Sequence, residues 1–324
     1  YIKRTPLSDY KRQSRGGVGH RGVSTRDEDF IEHIFVATNH NYMLFFTEWG
    51  RCYWLRVYEI PEGSKASKGR AIQNLIQIPQ DDTLKAFINT KDLKDKEYVQ
   101  NHFIVMVTRQ GVIKKSPLEA YSRPRANGIN AITIRDEDVL LEAKLTSGQD
   151  DLLMALASGK AIRFKEDKVR SMGRIASGVR GVALAHANDR VVGMVNIPPD
   201  EADQLSILVV SEKGYGKRTL VDDYRVTNRG GKGVKTISIT DKTGELVAIK
   251  GVTNDEDLMV INRSGVMIRT GIQDLRIMGR ATQGVRLINL KKNDKIASVA
   301  KVPASTEAED IEEGLSGEAP VEED

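Results

Sequence analysis

Met172–Arg180 reads MGRIASGVR, and Met278–Arg286 reads MGRATQGVR. Six of the nine positions agree across a separation of 106 residues, so the chain is built from repeated units. In each copy the later glycine, Gly178 or Gly284, follows an earlier one, Gly159 or Gly265, by nineteen residues. The same interval separates Gly50 from Gly69 and Gly214 from Gly233. Gly19 stands nineteen residues in if the chain start counts as a marker, and Gly128 follows Gly111 by seventeen. The openings of the units also match: YIKRTPLSDY at 1, VIKKSPLEAY at 112, YGKRTLVDDY at 215 and VMIRTGIQDL at 266. Six units result, about 1–50, 51–111, 112–159, 160–214, 215–265 and 266–303, with a remainder at 304–324.

Within a unit the apolar runs are short. INAITI at 129–134 and VKTISI at 234–239 alternate, while LLEAKL at 140–145 and DLLMAL at 151–156 are nearly continuous. Acidic turns such as DED at 136–138 separate them. Short runs rich in β-branched residues and bounded by Gly, Asp and Asn predict strands. No longer segment carries a helical period. Four short strands per unit in six units predict an all-β, propeller-like ring of six four-stranded blades. The first unit lacks a preceding strand and the sixth stops early, so a closed ring would share strands between neighbouring blades. The inserts at Asn89–Asn101 and Asn196–Gln204 read as surface loops.

The chain has 324 residues, 40% of them hydrophobic, enough to bury a core. Its one cysteine, Cys52, excludes an internal disulfide framework and a cysteine zinc cluster, fits a cytoplasmic location and reads as a buried small hydrophobe. No apolar run approaches the ~20 residues of a membrane helix. The start at Tyr1, without methionine or signal-like segment, leads us to expect a piece of a longer protein. The net charge of +4 hides an asymmetry: 304–324 holds nine acidic and no basic residues, so residues 1–303 carry 49 basic against 36 acidic, or +13. A basic body with an acidic, disordered tail points to a polyanionic partner, with which the tail could compete for the basic rim.

The cations fall in phase with the repeat. Four residues after each marker stand Arg4, Trp54, Lys115, Arg163, Arg218 and Arg269, although Lys and Arg are only 49 of 324 residues. Fifteen after the marker stand Arg15, Lys65, Arg174, Arg229 and Arg280, with Arg125 one position off in the short third unit. Two after the second glycine stand Arg21, Arg180, Lys235 and Arg286. Equivalent positions in a ring occupy equivalent places, so these columns predict a rim lined with positive charge. A curved belt of cations fits duplex DNA bound through its phosphates. No recognition helix is present, and aromatics, at 6%, do not interleave with the basic columns as base stacking would need.

Lys11–Gly22, KRQSRGGVGHRG, sets four cations among four glycines, a composition suited to bringing backbone N–H groups and guanidinium forks against phosphate. Its GVGHRG matches a dinucleotide fingerprint but lacks the strand–turn–helix context. The five histidines are dispersed, and Tyr10, Tyr121 and Tyr224 recur as packing positions. No catalytic, metal or cofactor constellation emerges.

The six repeats and Gln13–Gly19 (QSRGGVG) resemble the C-terminal domain of the A subunit of bacterial DNA gyrase, whose first repeat carries the box Q-R-R-G-G-K-G. Gln13, Arg15, Gly16, Gly17 and Gly19 match the box, while Ser14 and Val18 replace an arginine and a lysine. TNRGGKG at 227–233, with Arg229 and Lys232, is a second near-match, and Arg12 and Arg21 flank the first. The resemblance, over 1 to about 303, implies a six-bladed β-pinwheel whose blades exchange strands and whose rim wraps duplex DNA with a fixed hand. It implies a monomeric, non-catalytic part of an ATP-hydrolysing type II topoisomerase, with the catalytic tyrosine upstream and ATP and Mg bound elsewhere in the whole enzyme. Its partners would be the gyrase B subunit together with the rest of the gyrase A subunit. The alternatives are the corresponding domain of topoisomerase IV, which lacks a good box, and a propeller serving as a protein-interaction scaffold.

Overall fold

The computed structural model describes residues 1–6, 20–21 (backbone only), 37–64 and 67–303. The fold is all-β, and its unit is a four-stranded antiparallel sheet. The third blade shows the plan. Asp151–Leu156 and Lys160–Lys165 form a hairpin, and Val191–Ile197 flanks it on the inner side. The outer edge is closed by Val234–Lys235, a two-residue strand from the next repeat. The first, second and fourth blades repeat this plan, with Ile129–Asn130, Val179–Arg180 and Val285–Arg286 as the borrowed strands. The fifth blade, Glu256–Asn262, Val266–Gly271 and Ile296–Pro303, borrows His20–Arg21 from the start of the chain.

The expected six blades are therefore corrected to five among the described residues. Sharing strands leaves the number of sheets unchanged, since each repeat gives one strand and takes another; residues 7–19 and 22–36 of the first repeat lie outside the described residues. Of the first repeat, Tyr42–Thr47 enters the first blade, His20–Arg21 closes the fifth, and Ile2 and Arg4 make isolated bridges to Arg70 and Glu62. The alternating runs are also shorter as strands than they read. In INAITI only Ile129–Asn130 pairs, and Ala131 and Ile132 continue as buried irregular chain. The insert at 89–101 holds a five-residue helix, Lys96–Gln100, capped by Asp95, whose carboxylate accepts from Tyr98 N at 3.1 Å. Leu93 and Val99 bury there; five residues are too few to display a helical period in sequence.

The core lies between blades. Strand side chains alternate between faces, and here both faces are covered. Leu153 and Ala155 pack with Ile207 and Val209 of the fourth blade, while Leu152, Met154 and Leu156 pack with Val105 and Val107 of the second. That is why DLLMAL and SILVVS read as continuous apolar runs: every residue is buried. The inner strands pack side by side as a hub, which leaves the borrowed strands on the outer rim.

The repeated second glycine lies where a borrowed strand crosses its host. Gly233 has φ +73°, and a Cβ there would sit 2.4 Å from the Ala161 carbonyl oxygen. Gly178 and Gly284 face the Ile113 and Gly216 oxygens in the same way, at 2.5 Å. The carboxylates of the acidic turns are hairpin staples: Asp138 accepts from Gln110 N at 3.0 Å and Val139 N at 2.8 Å, and Asp189 accepts from Ser158 N and Arg190 N. Gly233→Ala combines a left-handed penalty of roughly 1–2 kcal/mol with a backbone clash. At Gly265, φ +81°, no described atom lies within 4 Å of an added Cβ. Urea unfolding should therefore show Gly233→Ala losing clearly more stability than Gly265→Ala; equal losses would remove the close approach as the reason for the glycine.

Candidate nucleic-acid interface

The three basic columns occupy different depths. The first, four residues after the marker, is internal: Lys115, Arg218 and Arg269 are each no more than 6% exposed, and Arg163 has a side chain 11% exposed. This corrects their expected place on an exposed rim. The position falls mid-strand beside the next blade, so a long side chain there reaches the single 3-10 turn of the following repeat. Arg163 Nη1 donates to the Val221 and Tyr224 carbonyls at 3.0 and 3.1 Å, Arg218 Nε to Leu275 O at 2.9 Å, and Lys115 Nζ to Glu166 O at 3.3 Å. Arg4 Nε, half-buried, does the same to Ile60 O at 3.4 Å. Trp54 belongs to this series, because its indole N–H donates to Tyr121 O at 3.0 Å. The position requires a long donor and not a charge, and the tryptophan was the signal in the sequence.

The charges of this column are largely balanced locally. Arg163 pairs with Asp151 at 2.7 Å, Arg269 with Asp257 at 2.8 Å and Arg4 with Glu62 at 3.1 Å. Lys115 lies 4.0 Å from Glu166, whose carboxyl is pushed up by burial against the opposing pull of Thr146 and Lys115. Burial likewise lowers the Arg218 guanidinium. Of the recurring tyrosines, Tyr121 and Tyr224 are also internal. Tyr121 donates to Ala131 O at 3.1 Å and burial pushes its phenol up; burial takes Tyr224 to about 12. Cys52 is fully buried, with its thiol pushed up by desolvation.

The second and third columns build the rim together. Arg180 and Lys235, on the borrowed strands, are exposed, as is Arg286. Arg174, Arg229 and Arg280 are half-buried and tethered to those strands: Arg174 Nη1 donates to Asn130 O, Arg229 Nη1 to Arg180 O and Arg280 Nη1 to Lys235 O, at 2.8–2.9 Å. A guanidinium has five N–H donors, so each tethered arginine keeps others for a ligand. Successive repeats thus converge on stations along the outer edge. One holds Arg51, Asn130 and Arg174, with Arg51 Nη1 donating to Asn130 Oδ1 at 3.0 Å. The next holds Arg180 and Arg229, and the third Lys160, Lys235 and Arg280. Arg125, one position out of phase, is also exposed.

A fourth station is a cleft of about 400 Å³ where Tyr215 and Arg286 meet Lys213, Lys242, Lys291 and Lys295. Arg286 Nη2 donates to Tyr215 Oη at 2.9 Å, and the Lys242 ammonium stands 5.3 Å from the centre of the tyrosine ring. Lys295 is paired with Glu212 at 2.7 Å, and the cleft still carries a clear cationic excess. Sequence reasoning missed Arg51 and Lys160, although both directly follow a marker glycine, because the other repeats carry Tyr1, Val112, Tyr215 and Val266 there; the lysines around Tyr215 share no column, and only the register beside a borrowed strand groups them.

The box residues Arg12, Gln13, Arg15, Gly16, Gly17 and Gly19 lie outside the described residues, as do Tyr10, Lys65, the side chain of Arg21 and the tail 304–324. The near-match at 227–233 is described. Gly230, at φ +84°, donates its N–H to Gly181 O at 2.6 Å, Arg229 Nε donates to Lys168 O at 3.0 Å, and Lys232 is exposed. The glycines let this loop clasp the preceding repeat while its lysine faces outward. Among the described residues no group of His, Cys, Asp and Glu forms a metal site, and no helix is long and apolar enough to cross a membrane.

The family model described as DNA gyrase C-terminal domain, beta-propeller, matches residues 1–38, 41–91, 102–147, 150–198, 206–252 and 256–303. The chain belongs to this family. It is 44% identical over 316 residues to the DNA gyrase A subunit of Staphylococcus aureus, in strains COL and MW2 alike. The match covers 98% of this chain and 35% of those proteins, so the chain spans about a third of their length. In structure it is similar to a DNA gyrase A C-terminal domain, with TM-score 0.81, 24% identity, and 93% and 96% of the two chains covered. The C-terminal domain of a DNA topoisomerase IV is also similar, with TM-score 0.72, 23% identity, and coverage of 98% and 94%. At those identities the two structures speak for the fold alone. The family model and the staphylococcal relatives carry the gyrase assignment.

Within this gyrase-family propeller one rim contact opposes folding. Lys160 and Lys235 stand directly opposite each other across the borrowed strand. Like charges in that position destabilise a sheet, on the scale of roughly 0.2–1 kcal/mol for a cross-strand pair. Lys160→Glu should therefore raise the melting temperature at low ionic strength, and the gain should fade as salt screens the pair. A melting temperature unchanged at low salt would show that the two ammonium groups do not interact.

Proposed function

We propose that this chain binds duplex DNA along its rim without sequence specificity and wraps it with a fixed hand, as the C-terminal domain of a gyrase A subunit. The observation that carries the reading is the series of rim stations, in which two or three successive repeats bring cations together while the first column's charges are balanced inside. The like-charge pair Lys160–Lys235 and the cationic cleft at Tyr215 belong to the same series. Such juxtapositions weaken the isolated protein and favour an anionic partner that follows the ring. Phosphate recognition by lysine and arginine is indifferent to base sequence except through the ease of bending.

The magnitudes are compatible. Bending 20–30 bp by 40–90° costs on the order of 1–6 kcal/mol. About 6–10 phosphate contacts change affinity by ~10³–10⁵ over a modest salt range, which is roughly 4–7 kcal/mol. Wrapping is therefore feasible and strongly salt-sensitive. In the whole enzyme the wrapped segment would be presented to the breakage–reunion core of the A subunit, upstream of this chain. ATP hydrolysis by the B subunit would then drive negative supercoiling in the cytoplasm. The chain itself would supply no catalytic residue, metal or cofactor.

The test is a topology measurement on the 324-residue chain. It is incubated with nicked circular plasmid, the nick is ligated, protein is removed, and the linking number is read at two salt concentrations. A shift of one sign that fades with salt is expected, and Arg280→Ala combined with Lys235→Ala should reduce it several-fold. Binding without a shift would overturn wrapping and favour the topoisomerase IV-like alternative. No binding at low salt would overturn the DNA reading and favour a protein-interaction scaffold.

A further inference from the structure

Three lysines lie behind the rim, three residues into the first, third and fifth repeats: Lys3, Lys114 and Lys217. Lys114 and Lys217 are completely buried. Their ammonium groups are satisfied mainly by backbone oxygens. Lys114 Nζ donates to Ala131 O and Arg174 O. Lys217 Nζ donates to Gly279 O at 2.6 Å, to Arg280 O, and to Thr282 Oγ1 at 3.0 Å. Lys3 Nζ, less buried, reaches Ser64 O at 2.7 Å and Ser67 O at 2.9 Å. In each case the acceptors include the rim loop of the following repeat.

The other repeats place Tyr53, Ile162 and Ile268 at this position. There the loop rests on the side chain through glycine, as Gly128 does on Tyr53 and Gly231 on Ile162. Rim loops thus alternate between two supports. This accounts for the close agreement of MGRIASGVR and MGRATQGVR: both are loops held by a lysine. Burying an ammonium group without an ion pair is expensive, and an apolar side chain fills the same position in neighbouring repeats. The lysine therefore serves the loop carbonyls.

Two of those carbonyls belong to Arg174 and Arg280, whose guanidinium groups are tethered by Asn130 O and Lys235 O. Each arginine is fixed at both ends. We propose that Lys114 and Lys217 are positioning residues that hold Arg174 and Arg280 ready for backbone phosphates, so that alternate stations of the rim are set before DNA arrives. The proposal rests on the DNA reading above.

The test uses Lys217→Met, which keeps the length of the stem and removes the donors, alongside Arg280→Ala and the double variant. Duplex affinity is measured against salt, and amide hydrogen exchange is followed across 278–284. One phosphate contact contributes about 0.9 to the slope of log affinity against log salt, or about threefold in affinity between 50 and 200 mM. Lys217→Met should lose that contact, Arg280→Ala should lose the same one, and the double variant should lose no more than either. Exchange in the loop should quicken in Lys217→Met while the melting transition stays cooperative. An unchanged salt slope in Lys217→Met, or additive losses, would overturn the positioning role and leave a purely structural lysine. If Lys217→Met does not fold, Lys114→Met with Arg174→Ala, read by the salt slope and by exchange across 172–178, takes its place with the same two outcomes. Absence of DNA binding by the unaltered chain would overturn the DNA reading, while loop exchange would still report whether the lysine holds the loop.

Discussion

Everything in this ring depends on a two-residue strand crossing onto its neighbour's sheet. Two residues of pairing are too little to hold by themselves. The contact persists because the chain beyond it is buried: Ala131 and Ile132, or Thr236 and Ile237, enter the core directly after the paired residues. The glycine just before the strand permits the approach, since a Cβ at Gly178, Gly233 or Gly284 would overlap the host carbonyl. Backbone proximity, more than side-chain chemistry, thus sets the repeat. It also makes the ring circular, because the last host strand, Val266–Gly271, receives its partner from the start of the chain.

Strand exchange also sorts the charges. A side chain four residues past the marker turn is sandwiched between blades, so its donors meet the turn carbonyls of the next repeat. A side chain two residues past the second glycine sits on the outermost strand, with solvent beyond it. Arg163 and Lys235 are both periodic cations, yet one is a buried strut and the other a surface charge. The tethered arginines lie between these extremes. Arg280 gives one donor to the framework and keeps the rest, an arrangement that lowers the entropy lost when a phosphate binds.

Much of this was legible in the chain. The glycine spacing, the short apolar runs and the acidic turns foretold an all-β ring, and two of the three columns of phased cations do line its outer edge. Three readings required the structure. Six repeats show five described blades, with 7–19 and 22–36 of the first repeat outside the described residues. The column of Lys115, Arg163, Arg218 and Arg269 turned inward, although Trp54 within it already indicated that charge was not the requirement. Arg51 and Lys160, in a column that carries tyrosine or valine in the other repeats, and the lysines around Tyr215 joined the cationic rim only through the register.

The sequence by itself determined the local matters: where the strands run, where glycine admits positive φ or close approach, and at what period cations recur. These depend on residues near one another in the chain. Only the tertiary structure decided which sheet each strand enters, which cations are buried and which lie on the outer rim. Those depend on contacts between residues fifty or more positions apart, such as Arg163 with Val221 and Lys217 with Gly279. A periodic charge looks the same in the chain whether it props a neighbouring blade or meets a phosphate; its depth in the assembled ring makes the difference.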